Sequence, residues 1–162
     1  GDDGGGDDDD DAGGGGRRDP RQADAINNLA DLSHSEGSLV DAERLYKSAL
    51  ELRQSALGED HPTVAGSVNN LAVLLMDQRR AAEALPLLRR AAKLAKAQLG
   101  KEHPHYATTL NNLAAGLEQQ GLHKEAMRHM TRALKINTRA FGEEHASTKD
   151  TAANLDRLRD EV

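Results

Sequence analysis

The sequence predicts an all-α fold, an α–α superhelix (solenoid) of three helical hairpins followed by a C-terminal capping helix. Three observations carry this prediction. Only 2% of the 162 residues are aromatic and 37% are hydrophobic, so a core has to be assembled from Leu, Ala and Val, which suits closely spaced helices better than a sheet. Apolar residues recur at helical intervals, as Leu110, Leu113, Ala114 and Leu117 do at i, i+3, i+4 and i+7. Two unrelated motifs repeat at one shared interval of 42 residues.

Residues 1–19 come before the first helix. They hold eight of the 15 Gly and eight of the 27 acidic residues, which leaves residues 20–162 with 19 acidic and 19 basic side chains. Gly loses the most entropy on ordering, adjacent Asp residues repel, and no apolar side chain offsets either cost. A disordered, Gly/Asp-rich acidic arm is expected there, serving as a solubilising linker, as bait for a basic partner or as an intramolecular competitor for the binding face.

The repeat domain is expected over 20–162. Asn27-Asn28-Leu29-Ala30 recurs as Asn69-Asn70-Leu71-Ala72 and Asn111-Asn112-Leu113-Ala114, then fades to Ala153-Asn154-Leu155-Asp156. Leu57-Gly58-Glu59-Asp60-His61-Pro62 recurs as Leu99-Gly100-Lys101-Glu102-His103-Pro104 and, more loosely, as Phe141-Gly142-Glu143-Glu144-His145-Ala146. The spacing places first helices near 21–35, 63–78, 105–119 and 147–160, and second helices near 39–57, 81–99 and 123–141. Repeats then run at about 21–62, 63–104 and 105–146, with a terminal helix at 147–160. Gly ends each second helix because it accepts a left-handed cap, and Pro opens the next because a first turn has no amide partner to lose. Pro86 sits early enough in its helix to remove at most one backbone bond. The final helix turns polar at Asp156, Arg157, Arg159 and Asp160, as a solvating cap should.

These residues resemble tetratricopeptide repeats. The third unit carries the pattern at Leu110, Leu113-Ala114, Gly121, Ala126 and Ala133, and the first at Ile26, Leu29-Ala30, Gly37, Ala42 and Ala49. The 42-residue period with Leu-Gly-x-x-His-Pro, and the segment Thr108-Thr109-Leu110-Asn111-Asn112-Leu113-Ala114, resemble the kinesin light chain and nephrocystin-like type over roughly residues 21–160. Arg79 replaces the turn Gly in the second unit, Ala81 and His123 stand where an aromatic is usual, and Ala146 replaces the last Pro.

Stacked hairpins put their first helices on the inside of a superhelix, so the candidate site is an extended inner face. Asn27, Asn28, Asn69, Asn70, Asn111, Asn112 and Asn154 are expected on or beside it. Asn is a mediocre helix former, costing about 0.5 kcal/mol against Ala, yet seven recur in mid-helix. An amide offers two donors and an acceptor, so a ladder of them can pair with the main chain of an extended partner peptide. The competing role for one Asn of each pair is to bond a neighbouring helix. Other inward positions are Asp24, Asp31, Asp77, Glu118, Gln119 and Asp150, with Arg157 and one of Arg79 and Arg80 as the basic minority. Such a groove favours a neutral or basic ligand, whereas the resemblance implies a kinesin light chain groove taking acidic, Trp-containing cargo peptides. Met76 and Val73 are expected to serve core packing ahead of a pocket.

His61, His103 and His145 lie one period apart, roughly 10 Å in a stacked array, too far to share a zinc ion, and are expected at loop-to-helix junctions. His123 and His129 lie six apart, which is not the i, i+4 placement of a metal pair. With no Cys, no phosphate-cradling Gly loop and no recognisable triad, no enzymatic activity, cofactor or metal is expected. A neutral body with an acidic arm disfavours nucleic acid, and no run approaches eighteen apolar residues, so no membrane span is expected. The first residues carry no basic, apolar leader, and a Gly at position 1 suggests a processed form or a fragment. The expected function is a cytoplasmic protein-interaction module. The resemblance implies a cargo adaptor meeting a kinesin heavy chain complex through flanking regions. The alternatives are the sensor or scaffold arm of a signalling protein that also carries a nucleotide-binding domain, and the accessory domain of an enzyme.

Overall fold

The computed structural model describes residues 19–160. Within them the chain forms α1 (Pro20–Ser35), α2 (Leu39–Leu57), α3 (Pro62–Asp77), α4 (Ala81–Leu99), α5 (Pro104–Gln119), α6 (His123–Phe141) and α7 (Ala146–Asp160), with no strand among the described residues. Each helix packs on the next, and α3 also touches α5, so the odd-numbered helices form one layer and the even-numbered ones the other. Helix starts fall one residue earlier than expected, because the Pro (or Ala146) is itself the first helical residue. The expected acidic arm lies outside the described residues, apart from Asp19.

The junctions repeat as closely as the helices do. Asp19 accepts a hydrogen bond from the Arg21 amide at 2.9 Å. One period on, the Nδ1 atoms of His61, His103 and His145 accept from Thr63, His105 and Ser147 at 3.3, 3.1 and 3.2 Å. The three imidazoles are therefore side-chain N-caps, each satisfying an amide that the first turn leaves without a partner. At the tight turn inside each hairpin, Gly37, Arg79 and Gly121 share a left-handed conformation, with φ of 78°, 63° and 72°. The following amides of Ser38, Arg80 and Leu122 then reach back five residues to the Ser33, Leu75 and Leu117 carbonyls at 2.8–2.9 Å, which closes a Schellman motif.

Packing repeats in columns. Ala30, Ala72 and Ala114, then Ala42, Ala84 and Ala126, then Ala49, Ala91 and Ala133 are all fully buried where paired helices touch. Small side chains let axes approach toward the short end of the ~8–10 Å range. Tyr46, Leu88 and Met130 supply the bulk at one matching place, and Leu71, Leu113 and Leu155 at another. Met76 is buried in the same core. The column breaks at the first unit: Leu29 is 51% exposed, against 4% for Leu71 and 3% for Leu113. Those two are covered by the second helix of the hairpin before, and among the described residues α1 has no such neighbour. Pro86 is accommodated inside α4.

Candidate functional site: the inner valleys of the first-helix layer

Side chains bridge every adjacent pair of first helices. His34 of α1 meets Asp77 of α3 at 2.7 Å. Asn112 of α5 donates to Asn69 of α3 at 2.9 Å, and Asn111 donates to Thr151 of α7 at 2.9 Å. Arg157 of α7 holds Glu118 of α5 by two bonds, at 2.5 and 3.1 Å. These contacts fix the width of the valleys between the helices.

Two cavities open along those valleys. One of about 450 Å³ lies between the N-terminal halves of α3 and α5, with the end of α4 behind it, and is lined by residues including Gly66, Asn69, Asn70, Ala95, Leu99 and Thr108. The other, about 390 Å³, lies between α5 and α7 with the end of α6 behind, and is lined by residues including Thr108, Asn111, Asn112, Asn137, Asp150 and Asn154. The two are the same place one period apart: Gly66 matches Thr108, Asn69 matches Asn111, Asn70 matches Asn112, and Ala95 matches Asn137.

The Asn residues divide into two columns. In the first, Asn27 is 8% exposed and donates to Asp31 at 3.2 Å, Asn69 accepts from Asn112, and Asn111 donates to Thr151. In the second, Asn28, Asn70 and Asn154 have no hydrogen-bond partner among the described residues, and Asn112 gives its amide to Asn69. Asn70 and Asn154 line the two cavities, whereas Asn28 is exposed on α1. Arg157 is tied to Glu118.

Most of the acids expected on this face are also spent internally. Asp31 accepts from the Tyr46 hydroxyl at 2.5 Å, and burial, reinforced by that carboxylate, raises the phenol's pKa above its ordinary value. Asp24 pairs with Arg53, Asp77 with His34 and Glu118 with Arg157. Asp150 keeps no basic partner among the described residues, so the α5/α7 cavity retains one uncompensated carboxylate. Of the basic minority, Arg80 turns to the second-helix layer, bonding Glu43 of α2 and Glu83 of α4 at 2.7 Å each.

Arg53 and Asn137 are site residues that the sequence reading missed. Both lie in a second helix, at the position held by Ala95 in the middle unit, and the signal was this column's change from Arg to Ala to Asn against a conserved-looking repeat pattern. A third cavity, about 310 Å³, lies on the α4–α6 side, lined by residues including Arg89, Lys93, Lys96, Tyr106 and His129. Arg89 holds Glu125 there at 2.8 Å and lowers its carboxyl pKa, while burial lowers the His129 pKa. Among the described residues no three His, Asp or Glu side chains gather as a metal site, and no helix is long and apolar enough to cross a membrane.

Two family models, both described as tetratricopeptide repeat, match residues 22–63 and 63–139. The chain belongs to the tetratricopeptide repeat (TPR) family. A sequence search of curated proteins finds no match. Among solved structures, BtubC (BKLC) from P. vanneervenii matches with a TM-score of 0.81 at 23% identity, covering 88% of this chain and 57% of that one. A candidate kinesin light chain of Podosopora anserina with nearly identical TPR-like repeats matches with a TM-score of 0.80 at 22% identity, covering 86% of this chain and 66% of that one. The type III secretion translocator chaperone SycD of Yersinia enterocolitica matches at 12% identity with a TM-score of 0.67, covering 88% of this chain and 87% of that one. At these identities the likeness is one of fold, and the chain spans less than two thirds of the first two relatives. Kinesin light chain-like repeat proteins are thus among the structural neighbours, and a TPR array of this kind is a protein–protein interaction module.

Proposed function

We propose that the chain holds an extended segment of a partner protein against its first-helix layer, main chain on the Asn column 28/70/112/154 and side chains in the two valleys. The carrying observation is the pair of cavities repeated at one period, each with an unspent Asn amide at its wall. The Asn112–Asn69 and Asn111–Thr151 bonds tie α3, α5 and α7 together, so Asn70 and Asn154 sit on helices already fixed in place and need little ordering on binding. More particular forms of the proposal are a cytoplasmic location and a cargo-adaptor role that reaches a kinesin heavy chain complex through flanking regions.

The test is selection of peptides from a displayed random library, followed by titration into Asn70→Ala/Asn154→Ala. The two amides lack protein partners, so the variant should keep its melting temperature and bind selected peptides at least tenfold more weakly. Undiminished binding, or no peptide selected, refutes the proposal.

A further inference from the structure

The valleys are alike in backbone and unlike in filling. At the α1/α3 valley, the place matching the two cavities is taken by the Arg53 guanidinium. It donates to Ser67 of α3 and, at 2.7 Å, to Asp24 of α1, and its side chain is only 11% exposed. Ser67 and Asp24 are the counterparts of cavity positions: Asp24 matches Gly66 and Thr108, and Ser67 matches Thr109 and Thr151. The middle unit carries Ala95 where the first has Arg53, and the third carries Asn137, which is 4% exposed and donates to the Ser147 carbonyl and Thr151 hydroxyl at 3.3 and 3.2 Å. One residue column of the second helices thus decides whether a valley is plugged, open and apolar, or open and polar.

We infer that this column, Arg53, Ala95 and Asn137, sets the partner's sequence, and that the partner segment carries an aliphatic side chain and a Lys or Arg about three residues apart. The inference rests on the peptide-binding function proposed above. Asn70, His105 and Thr108 contribute polar groups to the α3/α5 cavity, but most of its exposed lining is apolar, with Ala65, Ala95 and Leu99 among the contributors, and favours an aliphatic inserted side chain. The α5/α7 cavity presents Asn112, Asn137, Asn154 and the unpaired Asp150 carboxylate, which favour a cationic donor. Adjacent first helices lie ~8–10 Å apart, and a segment in the polyproline II form of extended chain advances ~3.1 Å per residue with about three residues per turn, so side chains about three residues apart face the same wall at that spacing. The plugged valley accepts main chain but no side chain, so a third selected position on the α1 side is absent.

The probe is a positional-scanning library of fluorescein-labelled nonapeptides, read by fluorescence polarisation. Wild type should select an aliphatic residue at one position and Lys or Arg about three residues away. Ala95→Arg/Gly66→Asp rebuilds the Arg53–Asp24 plug in the middle unit and should reduce the aliphatic preference at least tenfold while keeping the basic one. Should that variant fail to fold, Gly66→Leu fills the same cavity from its exposed wall, where an added Cβ meets nothing within 4 Å, and should have the same effect. Asp150→Ala should remove the basic preference alone. Peptides that bind through Asn70 but whose residue preferences survive all these variants overturn the inference and leave the function standing. A library from which wild type selects nothing overturns both.

Discussion

Arg79→Gly should stabilise the protein. Arg79 has φ of 63°, where Gly37 and Gly121 occupy the matching turns. A left-handed conformation costs an L-residue roughly 1–2 kcal/mol. Gly escapes that penalty but loses more chain entropy on folding, by roughly 0.5–1 kcal/mol. The Arg79 side chain is exposed and makes no ion pair or hydrogen bond among the described residues, so nothing else is lost. The net gain is about 0.75 kcal/mol, the midpoint of a span of roughly 0–1.5 kcal/mol, which for a domain of this size corresponds to about 1.5–3 °C in melting temperature. Circular dichroism at 222 nm during heating, and urea unfolding at constant m-value, would both read it. A variant equal to or less stable than wild type would mean that the turn is not held left-handed, and the shared Schellman geometry of the three hairpins would fail with it.

Other substitutions test other links. Ala126→Leu should overpack the fully buried α5/α6 contact and cost roughly 1–3 kcal/mol in urea unfolding. Leu71→Ala should cost about 2–5 kcal/mol, whereas Leu29→Ala, at the same register but half exposed, should cost under about 1 kcal/mol. His103→Ala removes an N-cap and should cost about 1 kcal/mol, with His103→Asp restoring it. Glu43 is held at a pKa of about 2 by Lys47 at 2.6 Å and then Arg80 at 2.7 Å, against the opposing effect of burial. Since its folded pKa lies below the ordinary carboxylate value, its contribution is complete above about pH 4.5 and is lost as pH falls toward 2. Stability measured against pH should therefore drop less steeply across that window in Glu43→Gln.

The helices and hairpins were legible because their determinants are local. Pro62 and Pro104 can only open a helix comfortably, Gly58 and Gly100 readily end one, and the Ala columns announce close packing at a fixed period. The His residues at 61, 103 and 145 were legible as junction residues, and the specific cap followed from a ring nitrogen placed beside an unsatisfied amide. The candidate site was only half legible. Periodicity brought the Asn pairs to one face, but which member of each pair faces a neighbouring helix depends on a rotation of the helix that spacing alone leaves open. The acids at 24, 31, 77 and 118 suggested a negative groove, and their partners Arg53, Tyr46, His34 and Arg157 lie 15 to 43 residues away in sequence. Arg53 and Asn137 escaped notice because variation within a repeat column carries no chemical signature until the valley behind it is seen.

The central claim, that the inner valleys receive the partner, is tested most directly by side-chain amide resonances. In a ¹⁵N-labelled sample titrated with a library-selected peptide, the Asn70 and Asn154 NH₂ signals should shift and saturate together, while those of buried Asn27 stay in place. Shifts confined instead to α4 and α6 around Lys93, Lys96 and His129, with Asn70 and Asn154 unmoved, would contradict it.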